Sequence, residues 1–120
     1  MISEKIICAG FGGQGVMLIG QLLAYAANER GFNTLWYPSY GPETRGGTAN
    51  CSVTISEVPV NSPVISKADT VIVMNKPSLE KFEDKVKPLG KLLVNSSLID
   101  QKSVRTDIEV FYIPVNEIAG

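Results

Sequence analysis

Residues 5–30 constrain the fold most strongly, because they join an apolar run, a cluster of glycines and a long helical pattern. The apolar run covers residues 6–9, and four glycines follow within residues 10–15. The helical pattern at residues 16–28 contains neither proline nor a charged residue. A strand, a glycine turn and a helix in this order open an α/β unit whose free backbone amides can face an anion. The segment therefore predicts an anion-binding or nucleotide-binding α/β domain.

The remaining strand patterns predict an α/β fold with a single Rossmann-like open sheet, mostly parallel, with helices on both faces. A continuous apolar run at residues 70–74 is typical of a central parallel strand that is covered on both sides, and residues 91–95 are expected to form the next buried strand. Residues 49–56 alternate between apolar and polar, which indicates a strand with one wet face, near an edge or antiparallel. Shorter strands are expected at residues 34–37 and 110–113.

The first helix is predicted over residues 16–30, ending at Gly31, since a glycine just past the last periodic residue is a typical C-terminal cap. The helix is apolar around most of its circumference, whereas an ordinary surface helix has one apolar stripe. The sheet of so small a domain covers only one side of this helix. We therefore expect a partner subunit on the other side; the alternative is a long loop of the same chain.

A second helix is predicted from Leu79, Phe82 and Val86, which recur at helical spacing with charged residues between them. Pro88 and Gly90 are expected to end it, because neither residue continues a helix well.

Two features flank the central strand at residues 70–74. Residues 65–69 are expected to form a helical turn before it. Asn75 follows it, at the strand end where open α/β sheets bind ligands. Capping of the next helix by Asn75 is an equally good alternative.

Size and charge exclude several classes of function. The chain has 120 residues and a formal charge of −1, which fits one small domain and gives nucleic-acid phosphates little to bind. No run reaches the roughly 18–20 apolar residues of a membrane span. The N-terminus lacks the basic and apolar pattern of a signal peptide. We expect a cytoplasmic protein without nucleic-acid or membrane partners.

The rarity of soft metal ligands limits the chemistry of the chain further. Histidine is absent, which excludes histidine-based triads and histidine-containing zinc sites. Cys8 and Cys51 are expected to be buried, reduced thiols that behave as small hydrophobic side chains. Two cysteines are too few for an iron–sulfur cluster. The electron carriers of any redox reaction would therefore lie on other chains.

The loop at residues 38–48 is long for a compact domain, and such loops often carry function. Arg45 is followed by two glycines, and its guanidinium suits recognition of a carboxylate or phosphate. The alternative is an ion pair with Glu43, two residues earlier. Residues 10–15 satisfy the pattern GxGxxG, but no acidic residue ends the second strand, which disfavours NAD or FAD. The glycines alternatively serve only a tight turn packed against a neighbour.

Three segments together resemble the gamma subunit of the 2-oxoacid:ferredoxin oxidoreductases. They read GFGGQGVMLIGQLLAYAA, YPSYGPETRGGTANCSVTIS and SPVISKADTVIVMNKPS, and the likeness extends over residues 6–119. The resemblance implies one gamma-type domain over residues 1–120 that continues past Gly120 in the family, so a C-terminal truncation is expected. It also implies an enzyme complex that oxidatively decarboxylates a 2-oxoacid with coenzyme A, yielding acyl-CoA, CO2 and reduced ferredoxin.

The resemblance further implies where cofactors and partners lie. Thiamine diphosphate, magnesium and the iron–sulfur clusters would be held mainly by alpha, beta and ferredoxin-like delta subunits, with ferredoxin as acceptor. No catalytic or metal-binding residue is assigned to this chain, which is not expected to be active alone. Its role would be subunit assembly and the coenzyme A side of the active site. The binding residues implied are Gly12, Gly13, Gln14 and Gly15, through their amides, together with Tyr40, Glu43 and Arg45 along the active-site approach.

Relatives with this loop act on pyruvate, 2-oxoglutarate, branched-chain oxoacids or indolepyruvate, and the short form favours 2-oxoglutarate or a branched-chain substrate. Two alternatives belong to other functional classes. One is a stand-alone module that binds a nucleotide or coenzyme A, and the other is a purely structural subunit.

Overall fold

The structure, a computed structural model, describes residues 3–10, 16–39, 49–58, 67–100, 102–114 and 118. Within these ranges six strands form one sheet, and two helices pack against it. In chain order the elements are β1 Ser3–Gly10, α1 Val16–Glu29, β2 Asn33–Ser39, β3 Ala49–Ser56, β4 Ala68–Val73, α2 Lys76–Phe82, β5 Val86–Asn95 and β6 Glu109–Ile113. No helix in the described ranges is both long enough and apolar enough to cross a bilayer.

The sheet is mixed, with the strand order β2-β3-β1-β4-β5-β6. Strands β1, β4, β5 and β6 are parallel neighbours, whereas β3 is antiparallel to both β1 and β2. The prediction of a mostly parallel sheet is therefore confirmed only for the β1–β6 side. The chain between β2 and β3 is shorter than the dozen or so residues that a parallel crossover needs, so these two strands pair antiparallel.

The two helices lie on opposite faces of the sheet, as predicted. Successive side chains of β1 point to opposite faces. Ile6 and Cys8 join the cluster under α1, whereas Ile7 and Ala9 join the cluster that contains the apolar side chains of α2. The end of α1 also agrees with the prediction. Gly31 has a φ of +89° and donates its N–H to the carbonyl of Asn28 at 3.0 Å.

The predicted second helix is too long. It was expected to include Val86 and to end at Pro88 and Gly90, but α2 ends at Phe82 and is followed by a single 3-10 turn, Glu83–Lys85. Val86 instead begins β5, fully buried in the core. Val86 sits at helical spacing from Phe82, so a periodicity argument cannot distinguish a helix from a helix followed at once by a buried strand.

Strand β5 begins before the predicted residues 91–95 and contains both residues that were expected to be breakers. It accommodates them through an irregularity: the pairing of β4 with β5 shifts register between Ala68 and Thr70. A β-carbon at Gly90 would lie 2.8 Å from the carbonyl oxygen of Asp69, so the two backbones approach too closely for any other residue. The preceding residue, Leu89, has a φ of +71°.

The predicted helical turn at residues 65–69 is wrong for its last two residues. Ala68 and Asp69 belong to β4, and residues 65–66 lie outside the described residues. Ala68 is completely buried. The central apolar run thus extends two residues further back than its sequence pattern suggests, because β1 and β5 flank β4 on both sides.

Asp69 ties β4 to both of its neighbours at the edge where β1 begins. Its carboxylate accepts a hydrogen bond from the backbone N–H of Lys5 at 2.8 Å and pairs with the ammonium of Lys87. Partial burial favours the protonated acid, but Lys87 and the Lys5 N–H outweigh it and lower the pKa of Asp69.

Substituting Asp69→Asn is expected to lower the free energy of unfolding at neutral pH by about 1 kcal/mol, a modest value because Lys87 is open to solvent. Since the folded-state pKa lies below the unfolded one, the charge stabilises the fold above about pH 4 and loses its effect as pH falls through the folded pKa. Urea unfolding at pH 7 and near pH 2.5 tests this. The exposed Asp100→Asn is the control, and an Asp69→Asn deficit that is equal at both pH values would contradict it.

Candidate functional site

The carboxyl ends of the parallel strands form one edge of the sheet, and β1 and β4 are neighbours there. From the end of β1 the chain continues into α1 on one face of the sheet. From the end of β4 it continues into α2 on the other face. The crevice between β1 and β4 is therefore the topological switch point, the position at which open α/β sheets bind ligands.

Both segments singled out in the sequence are anchored at this edge. Gly10, the last residue before the glycine turn, pairs directly with Ala49, the first residue after the loop. Ser39, which the structure places at the end of β2 although the predicted loop begins at residue 38, pairs with Asn50. The N–H of Met74, at the end of β4, donates to the carbonyl of Ala9 at 2.9 Å. The anchors of the turn and of the loop thus adjoin the switch point.

The predicted binding residues themselves, Gly12, Gly13, Gln14, Gly15, Tyr40, Glu43 and Arg45, lie outside the described residues. Their roles stay predictions. The described residues locate the points at which the chain enters and leaves the two segments.

Asn75 lies at the switch point and caps α2. Its side-chain oxygen accepts from the backbone N–H of Ser78 at 2.9 Å, and its extended backbone (φ −142°, ψ 166°) is typical of an N-cap residue. The capping alternative is therefore confirmed. Asn75 also lies where a ligand-binding residue is expected, because only Met74 separates it from the end of β4.

Asn75 also brings an unused donor to this position. Asn75 is 2% exposed, and its amide nitrogen has no hydrogen-bond partner among the described residues. The hydroxyl oxygen of Ser78, which is completely buried, has none among them either. Leaving a buried polar group unsatisfied costs about 1–3 kcal/mol, so these two atoms favour a polar partner at the switch point.

A second asparagine joins the ends of β4 and β5. Asn95 is buried, donates its amide N–H to the carbonyl of Met74 at 3.3 Å and accepts from the N–H of Ser97 at 3.1 Å. Neither Asn95 nor Ser78 is predicted as a site residue from the sequence. A signal exists for Asn95, because an asparagine directly follows the apolar residues of both predicted buried strands.

A small cavity of about 60 Å³ lies between the ends of β4, β5 and β6, lined by Met74, Leu93, Ile113 and their neighbours. It is almost wholly apolar and holds little more than a pair of water molecules. It is therefore a small gap in the packing at this edge and is too small for a nucleotide-sized ligand.

Helix α1 is apolar on two sides, as predicted. Its inner side, with Ile19 and Leu23, packs on the sheet. Its outer side exposes a stripe at helical spacing, formed by Leu18 (57% exposed), Leu22 (56%) and Tyr25 (65%). Three large apolar side chains in one row on a helix are typical of an interaction surface. That a partner subunit covers them stays a prediction.

The two cysteines are buried in strands, as predicted. Cys8 and Cys51 are both 0% exposed and stand directly opposite each other on β1 and β3. The neighbouring Cys51 thiol and burial both raise the pKa of Cys8. The neighbouring Cys8 thiol lowers the pKa of Cys51, against the opposing effect of burial.

Two substitutions separate the two roles of Asn75. Asn75→Ala is expected to lower the free energy of unfolding by about 1 kcal/mol, because α2 loses its cap. Asn75→Ser keeps an oxygen that caps the helix but removes the amide nitrogen, so we expect most of the stability to be retained. Thermal unfolding of both variants measures this, and equal losses of stability would contradict the capping role.

Comparison with known proteins places the chain in a family. The family model described as pyruvate ferredoxin/flavodoxin oxidoreductase matches residues 5–120. The ketoisovalerate oxidoreductase subunit VorA of Methanothermobacter marburgensis is 42% identical over 115 residues, which are 96% of this chain and 24% of that protein. The 2-oxoglutarate synthase subunit KorC of Methanocaldococcus jannaschii is 35% identical over 122 residues, covering 98% of this chain and 64% of that protein.

Solved structures agree with these relatives. The keto/oxoacid ferredoxin oxidoreductase gamma subunit of Geobacter sulfurreducens PCA superposes with a TM-score of 0.87 at 29% identity, over 99% of this chain and 65% of that one. The 2-oxoglutarate:ferredoxin oxidoreductase of Magnetococcus marinus has the same TM-score at 21% identity, covering 99% of this chain and 21% of that one. At this low identity the likeness supports the fold of the chain and nothing about its function. The chain thus spans less than two thirds of these relatives. The resemblance to gamma subunits is confirmed, and the chain belongs to the pyruvate ferredoxin/flavodoxin oxidoreductase family.

Proposed function

We propose that the chain is the gamma-type module of a thiamine diphosphate-dependent 2-oxoacid:ferredoxin oxidoreductase. The observation that carries the proposal is the family match over residues 5–120, joined to relatives that are named as oxidoreductase subunits. The complex would convert a 2-oxoacid and coenzyme A to acyl-CoA and CO2 and reduce ferredoxin. The module would contribute to subunit assembly and to the coenzyme A side of the active site.

The outer stripe of α1 supports the assembly role. Leu18, Leu22 and Tyr25 expose an apolar row that a thiamine-binding alpha or beta subunit of the same enzyme would cover. Such a contact on the outer side of α1 would leave the edge at the carboxyl ends of the parallel strands free to face the reaction. A ferredoxin-like delta subunit is a further expected partner.

The anchors at the switch point support the coenzyme A role. Coenzyme A carries phosphate groups, and the backbone amides of residues 12–15 precede α1, a helix long enough to favour negative charge at its start. Arg45 supplies a fork of donors for a phosphate. Tyr40 and Glu43 would line the same approach. Asn75 adds a buried amide donor next to the place where both segments are anchored.

The cofactors of the reaction would be bound by partner subunits. An iron–sulfur cluster generally takes four cysteine ligands, and the two cysteines here face each other across two strands. The thiamine diphosphate and its magnesium are likewise assigned to the partners. The substrate is proposed to be 2-oxoglutarate or a branched-chain oxoacid, since named relatives of both types match this chain.

Arg45→Ala in the assembled complex tests the coenzyme A role. Losing a charged hydrogen bond costs about 1.5–3 kcal/mol, so we expect the KM for coenzyme A to rise roughly 10- to 100-fold while the complex still assembles. Arg30→Ala is the matched control. Arg30 follows α1 at the opposite edge of the sheet, beside the start of β2, and is exposed.

An unchanged KM for coenzyme A in the Arg45→Ala complex would contradict this role. The exposed stripe of α1 would then favour the second candidate, a structural subunit that only holds its partners together. A module that binds coenzyme A without any partner, detected by titration of the isolated chain, would instead support a stand-alone binding function.

A further inference from the structure

The cysteine pair under α1 has a geometry that neither the family match nor the proposed function explains. Cys8 and Cys51 are the only cysteines in the sequence, and both are completely buried. They occupy directly opposed positions on the antiparallel strands β1 and β3. Directly opposed residues on neighbouring strands point their side chains to the same face of the sheet. Both thiols therefore point toward α1.

Directly opposed residues of an antiparallel pair satisfy the distance requirement of a disulfide. Their α-carbons are about 4.5 or 5.5 Å apart, depending on the type of pair, and disulfides span about 4.4–6.8 Å. Both side chains belong to the same buried cluster under α1, so the two sulfurs are neighbours on one face of the sheet.

The surroundings hold the Cys51 sulfur in place. A β-carbon at Gly20 would lie 2.4 Å from this sulfur and 2.9 Å from the indole nitrogen of Trp36, so helix α1 presses directly on both groups. The neighbouring Cys8 thiol favours the thiolate of Cys51 and lowers its pKa, against the opposing effect of burial. The thiolate is the form of cysteine that reacts with oxidants.

We propose that Cys8 and Cys51 form a reversible, peroxide-oxidised disulfide that fastens β1 to β3 beneath α1. The Cys51 thiolate attacks one oxygen of a hydroperoxide, giving a sulfenic acid and releasing water or an alcohol. The Cys8 sulfur then attacks the sulfenic sulfur and expels a second molecule of water. The two thiols lose two electrons and two protons in total, and the hydroperoxide is reduced by two electrons.

The bond would close a loop that contains both candidate binding segments. Residues 9–50 lie between the two cysteines and include the glycine turn, α1, β2 and the loop at residues 40–48. A disulfide restricts the unfolded chain most when it closes a long loop. Oxidation would therefore protect this half of the domain against unfolding, and reduction by a dithiol would release it.

The test treats the purified native complex, reduced and then freed of reductant, with a small molar excess of hydrogen peroxide. Remaining thiols are alkylated under denaturing conditions, and a digest without reductant is examined by mass spectrometry. We expect a peptide pair that joins Cys8 to Cys51, lighter by two hydrogens than the sum of the two reduced peptides. Dithiothreitol should separate the pair, and the oxidised chain should unfold on the order of 10 °C higher than the reduced chain.

Either of two results would overturn the proposal. One is that both cysteines remain fully alkylated at peroxide doses that oxidise exposed thiols of the partner subunits. The other is that either cysteine is oxidised singly, to a sulfinic acid, without the joined peptide. Cys8→Ala and Cys51→Ala serve as controls in which the joined peptide must disappear. Since the wild-type result alone decides, a variant that fails to fold does not affect the test.

Discussion

The Leu22→Glu variant is expected to prevent stable assembly of this chain with its partner subunits, weakening their association at least 100-fold. Leu22 lies at the centre of the exposed stripe of α1, between Leu18 and Tyr25. Placing a carboxylate at the centre of an apolar interface leaves a buried charge unpaired, which costs several kcal/mol. Leucine and glutamate have similar helix propensities, so the helix itself should persist. Size-exclusion chromatography and circular dichroism measure assembly and folding separately.

Leu89→Glu makes the same chemical change at a second exposed leucine. Leu89 is 86% exposed at the beginning of β5, an element that α1 does not pack against. The control variant should assemble like the wild type. If Leu22→Glu also assembles normally, the stripe is not an interface and the assembly role loses its structural basis.

The Gly20→Ala variant is expected to lower the free energy of unfolding by about 1–2 kcal/mol, although alanine is the better helix former. The added β-carbon would lie 2.4 Å from the Cys51 sulfur and 2.9 Å from the Trp36 indole nitrogen. Forcing a methyl group into a packed core costs about 1–3 kcal/mol, whereas the gain in helix propensity is up to about 1 kcal/mol. Thermal unfolding should show a decrease in Tm on the order of 5 °C.

A double-mutant cycle identifies the source of this cost. In a Cys51→Ala background the sulfur is gone, so the additional loss caused by Gly20→Ala should shrink by about half. The indole of Trp36 remains and accounts for the rest. A Gly20→Ala loss that is the same in both backgrounds would show that α1 does not press on Cys51.

The sequence predicts those elements whose local pattern agrees with their final environment. Helix α1 and its glycine cap are one example: the apolar periodicity, the absence of breakers and the positive φ of Gly31 all indicate the same boundaries. The central strand β4 is another, because a continuous apolar run is what a strand covered on both faces requires. The position of Asn75 at the switch point follows from these two elements.

Other features depend on contacts between distant parts of the chain. The start of β5 cannot be predicted from local sequence, since Val86 fits a helical period as well as a strand. Its burial in the core, which depends on the rest of the fold, decides in favour of the strand. The antiparallel pairing of β3 with β1 joins strands that α1 and β2 separate along the chain, and no local pattern reveals such a pairing. Ser78 is not predicted as a site residue because a serine in the first turn of a helix is common. Only its complete burial in the folded chain distinguishes it.

The most direct test of the account is to isolate the full-length protein from its native host and assay the recovered complex for coenzyme A-dependent oxidation of 2-oxoacids with a low-potential dye. We expect thiamine-binding and iron–sulfur partner subunits to co-purify. We also expect the complex to oxidise 2-oxoglutarate or a branched-chain oxoacid faster than pyruvate. Recovery of the protein without such partners, or of a complex with no coenzyme A-dependent activity on any of these oxoacids, would contradict the account.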